Sequence, residues 1–82
     1  MVGRIVEQTG IRESKAESIV RVLNEAGFRD ADGFVLNTAP DEKSHTLQFV
    51  SGGHMFTLEL SRYMLCQRIT DEEGNTVYAL IY

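Results

Sequence analysis

Two histidines (His45 and His54), a single cysteine (Cys66) and a run of three acids (Asp71-Glu72-Glu73) are the groups through which this chain could do covalent or metal chemistry. His54 follows Gly52-Gly53, a placement that could set an imidazole beside exposed backbone amides. A general base also needs an orienting acid or a nucleophile within reach, and no such residue stands at a telling spacing. His54 therefore reads as a solvent-facing turn residue. His45, His54 and Cys66 lack the close pairs and the fourth ligand of a structural zinc site. The acidic run has neither the length nor the alternation of a calcium loop. The expected protein is not an enzyme and carries no metal and no cofactor.

Binding chemistry is better represented. Arg12, Lys15 and Arg21 lie on one amphipathic stretch and could meet a phosphate backbone. Arginine is the residue best suited to guanine, and Arg12 and Lys15 fall near a helix start, where base contacts usually arise. A second set, Asp71, Glu72 and Glu73 with Tyr63 and Tyr78, would suit a basic protein surface, since tyrosine is enriched at interfaces. Phe49 and Phe56 read as core aromatics, and Tyr82 ends the last strand pattern.

The elements that must position these groups follow from periodicity. Ala16, Ile19, Val20, Leu23 and Gly27 form one apolar stripe at helical spacing, predicting a main helix over about 13–27. Ser14 and Glu17 fit a capping box at its start, while Gly27-Phe28 fits a Schellman stop. A shorter helix over 3–8 precedes it, with Ile5 and Val6 facing inward. Strand patterns follow at 33–36, 46–50, 54–60, 67–70 and 76–82. Residues 37–45 form a loop around the only proline, and 61–66 (SRYMLC) continue a strand. Gly52-Gly53 and Gly74-Asn75 supply the turns. The sum is an α+β fold: a helical part, 1–28, packed on an antiparallel sheet of four or five strands, 29–82, in one domain, 1–82.

Composition narrows the classes further. The chain has 82 residues, 43% hydrophobic, with a net charge of −4. Residues 1–29 carry five basic side chains against four acidic, and residues 30–82 carry three against eight. Nucleic acid would thus be met by the first third, and a basic protein by the remainder. No apolar run approaches the roughly 20 residues of a membrane span, and no secretory signal is visible. One cysteine fits a reducing compartment, so the cytoplasm is the expected location.

Residues 3–36 resemble the helix-turn-helix unit of winged-helix DNA-binding domains. Residues 5–8 match the short helix, Thr9-Gly10-Ile11 the turn, and Ala16, Ile19, Val20 and Leu23 the buried positions of the second helix. Ala26-Gly27-Phe28 matches its exit, and 29–36 a very short wing. The chain departs from that family in lacking the preceding helix and in carrying Arg12 where a serine or threonine cap is usual. The resemblance implies a small regulatory protein contacting DNA through Arg12, Lys15 and Arg21, as a homodimer built through the sheet edge. EQTGIRESKAESIV is also similar to the opening helices of HU-type architectural proteins, whose basic β-arm has no counterpart in the acidic 71–74 turn. In size and charge alone the chain looks like phage or mobile-element inhibitors, anti-CRISPR proteins among them. That likeness implies an acidic inhibitor that blocks a basic partner surface.

Overall fold

The computed structural model describes residues 1–80. Helix α1 (Val2–Thr9) stops at Gly10, whose φ of 75° is left-handed and whose amide donates to the Val6 carbonyl. The Thr9 hydroxyl donates to the Ile5 carbonyl at 2.5 Å and accepts from the Ile11 amide at 3.2 Å. With Ile11 buried, the turn is held from both sides.

Helix α2 (Glu13–Glu25) starts from Arg12, whose carbonyl accepts the amides of Lys15 and Ala16. The capping box expected of Ser14 and Glu17 does not form. The turn delivers the chain in helical geometry at Glu13, so Ser14 already lies within the first turn, where its carbonyl accepts the Ser18 hydroxyl. The far end is a Schellman motif. Gly27 sits at φ 89° and donates to Asn24, while the Phe28 amide donates to Leu23 at 2.8 Å. Ala16, Ile19 and Leu23 are fully buried and Val20 partly so; Val22, which the stripe omitted, is buried beside them.

Five antiparallel strands follow in simple sequence order, with β1 and β5 at the edges. They are β1 (Asp32–Thr38), β2 (Ser44–Ser51), β3 (His54–Ser61), β4 (Cys66–Thr70) and β5 (Thr76–Ala79). The loop expected over 37–45 shortens to 39–43 because Asn37 and Thr38 pair with Thr46 and His45. A bulge at Gly33, φ 67°, lets the Phe34 amide donate to the Gln8 side chain at 2.7 Å, and Arg4 pairs with Asp32. Helix α1 is thereby tied to β1. Gly52 and Gly53 both take positive φ, as a two-residue hairpin turn requires.

The strand continuation expected at 61–66 is interrupted by a turn over 62–65. The Ser61 hydroxyl accepts the amides of Tyr63 and Leu65, the Met64 amide donates to the Ser61 carbonyl, and Met64 takes φ 64°. A side chain that offers the backbone local partners competes with the ladder, and here it wins. Of that segment only Ser61, the last residue of β3, and Cys66, the first of β4, lie in strands. The last strand pattern reached Ile81 and Tyr82, which lie outside the described residues.

One face of the sheet carries the core. Leu47, Leu58 and Ile69 are paired across β2, β3 and β4, and all three are inaccessible. Phe49 pairs with Phe56 and stacks on it at 5.7 Å, meets Phe28 edge-on at 5.2 Å and faces Phe34 at 6.3 Å. Ile5, Ile19 and Leu23 from the helices close over this row. The opposite face stays open, with Val35, Val50 and Met55 exposed and Glu59 paired to Arg68 across the ladder. Among the described residues no helix is long and apolar enough to cross a membrane.

Candidate nucleic-acid interface

Arg12 and Lys15 stand one helical turn apart at the start of α2 and open onto a common cleft of about 460 Å³. The 62–65 turn forms its other wall, contributing Arg62, Tyr63 and Met64, while Leu36 of β1 adds an apolar patch. Three cationic side chains thus meet in one cleft whose lining holds no carboxylate. Among the described residues none of the three is within 4.0 Å of an acid, whereas Arg4 and Arg68 are paired with Asp32 and Glu59. Tyr63 is 66% exposed, and the Arg62 guanidinium lies 5.8 Å from its ring centre.

Lys15 also borders a second groove along α2, shared with Ser18 and Arg21 and walled by Met64, Leu65 and Cys66. The cationic track therefore runs from Arg12 through Lys15 to Arg21. Glu25 closes it and accepts a hydrogen bond from the Tyr78 hydroxyl at 3.3 Å. Desolvation, then the Glu25 charge, push the Tyr78 phenol above its ordinary range. Glu13 and Glu17 line neither cavity. Sequence order mixed the two signs on α2; helical geometry sets Glu13 and Glu17, though not Glu25, on the side away from the 62–65 turn.

The acidic set is only partly brought together. Asp71 turns inward on its own loop, accepting the amides of Glu73 and Asn75. Glu72 bridges the two hairpin tips, reaching His54 Nδ1 at 3.3 Å and accepting the Met55 amide at 2.9 Å. These groups rim a shallow cavity of about 450 Å³ with Glu73 and Val77. Tyr63 lies at the opposite end of β3, and Tyr78 faces the helices, so neither tyrosine joins the acids. His54 is an exposed hairpin-tip residue, and His45 meets the Thr38 hydroxyl at 2.9 Å. Among the described residues no three of His, Cys, Asp and Glu gather closely enough to hold a metal ion.

Asp30 buttresses the same hairpin from the α2–β1 link. The Ser51 hydroxyl, then the Gly52 amide, donate to it and hold its carboxyl below the usual range. Sequence reasoning found Arg12, Lys15 and Arg21 but missed Arg62. Its only trace was a basic residue beside a tyrosine, in a segment read as strand.

The architecture is a two-helix, five-strand antiparallel α+β fold. Compared with known protein families, with curated proteins and with solved structures, the chain finds no match in any of the three.

Proposed function

We propose that this is a small non-catalytic regulatory protein that acts by binding nucleic acid through the Arg12, Lys15, Arg21 and Arg62 track. The supporting observation is the convergence of Arg12, Lys15 and Arg62 on one cleft lined by no acid. Unpaired cations gathered from two separate elements raise the local potential and are neutralised best by a polyanion. The alternative, an acidic inhibitor gripping a basic protein, draws less support. Two of its three carboxylates already hold backbone amides, Asp71 within its own turn and Glu72 on the neighbouring hairpin. We place its work in the cytoplasm, which fits a chain with a single thiol and no second cysteine to pair with.

Titration of fluorescent DNA at low salt tests this reading. Binding weakens with salt with a log–log slope of about −3, as expected for roughly four phosphate contacts. Replacing Arg12 and Lys15 together with alanine weakens it at least tenfold and lowers the slope by about 2. Arg29→Ala, outside the track, leaves it unchanged. No binding at micromolar protein would end the proposal.

A further inference from the structure

We infer that the track takes a single strand rather than a duplex, with an unpaired base laid on Tyr63. This inference rests on the nucleic-acid reading above and narrows it.

The first support is steric. The major groove is about 12 Å wide and a helix with its side chains about 10–12 Å across, so the groove admits one helix and little else. The cationic side of α2 is not free to enter it. Met64 and Leu65 wall the groove beside Lys15 and Arg21, and Arg62 and Tyr63 stand across from Arg12. A helix that keeps this turn alongside it is too broad for the groove. The side of α2 away from the turn is slimmer but presents Glu13 and Glu17, which phosphates repel.

The second support is chemical. The cleft combines cations with an aromatic ring and three apolar side chains, Ile11, Leu36 and Met64. A phosphate alone has no use for the apolar wall. Proteins that hold single strands pair a basic track for the backbone with aromatic faces for the bases. Tyr63 is two-thirds exposed and sits on a turn pinned at both ends by Ser61, so its ring is presented without being needed in the core. The cleft's volume of about 460 Å³ falls within the range of sites that enclose one small ligand. One base would occupy it, with the flanking phosphates on Arg12 and Arg62 and the strand continuing past Lys15 to Arg21.

The test is fluorescence anisotropy with a labelled oligothymidylate of about 15 nucleotides and with a labelled duplex of equal length. The single strand is expected to bind at least tenfold tighter. Tyr63→Leu weakens single-strand binding by about fivefold or more while leaving the salt slope unchanged, because stacking and charge are separate contributions. The chain has no tryptophan, so Tyr63→Trp creates a sole reporter whose emission is quenched by the strand and retained with the duplex. Equal or tighter duplex binding, or indifference to Tyr63→Leu, overturns the inference. If Arg12→Ala still weakens duplex binding in that case, the broader reading survives. If neither oligonucleotide binds, both fall.

Discussion

Cys66 shows at the residue scale how burial changes chemistry. It pairs with Leu60 across the β3–β4 ladder and is 5% exposed, and its burial pushes the thiol up to about 11. The core accepts the neutral thiol, while an unfolded chain ionises it near 9.0. Between those values only the unfolded state gains by releasing the proton. Stability is therefore intact below pH 9 and falls as the pH climbs towards 11. Urea midpoints at about pH 8 and about pH 10.5 check this, and Cys66→Ala should show the shallower decline. A decline as steep in the variant would assign the loss elsewhere, Tyr78 being another group whose acid form the fold favours. The same environment makes Cys66 a packing residue, unlike the exposed low-pKa thiols that react.

At the scale of elements, the two ends of α2 are made differently. The C-terminus has a complete Schellman motif with Gly27 at φ 89°, a conformation that disfavours any residue with a Cβ. No atom would meet a Cβ built there, so Gly27→Ala isolates the backbone cost of about 1 kcal/mol. The N-terminus has no side-chain cap, and Ser14 binds no helix-start amide. Ser14→Ala should therefore lie within about 0.5 kcal/mol of the parent, where a working cap would lose about 1. Thermal melts of the two variants decide the point. A clear loss for Ser14→Ala would mean that the capping box forms in solution. The 62–65 turn follows the same logic, since the Ser61 hydroxyl supplies there what Ser14 does not supply in α2.

Across the whole molecule, helices and sheet share one core, and Phe49 is its hub. Truncating a buried phenyl costs about 3–5 kcal/mol, a large share of the stability of so small a protein. Phe49→Ala is expected to be largely unfolded at 37 °C, with helical and aromatic circular-dichroism signals lost in one transition. Helical signal surviving the loss of the aromatic one would break the link between the two layers. Charge is also arranged at this scale. The acidic hairpin tips stand at the His54 end of β3 and the Arg62 cleft beyond its Ser61 end, about 20 Å apart along an eight-residue strand. Screening acts over about 10 Å at 0.1 M salt, so the acidic tips scarcely oppose an anion at the cleft. The acidic tips and the cationic cleft are thus separate surfaces of the molecule.

Much of the fold is decided locally and is legible from residue order. The α2 stripe, the Gly27 stop, the Gly52-Gly53 turn and the alternation of β3 each depend on neighbours within a few positions, and each stands as expected. Local order also selected Arg12, Lys15 and Arg21, because helical spacing makes them visible. It overstated Ser14, since a cap depends on how the preceding turn delivers the chain. It misjudged 62–65, since a hydroxyl's choice between ladder and turn is settled by geometry. Only the tertiary structure set Arg62 and Tyr63 against the start of α2 and separated Tyr63 from the acidic tips. The reason is physical: spacing along a helix is a property of the chain, whereas a cleft between a helix and a turn about fifty residues away exists only once the sheet has paired and the core has closed.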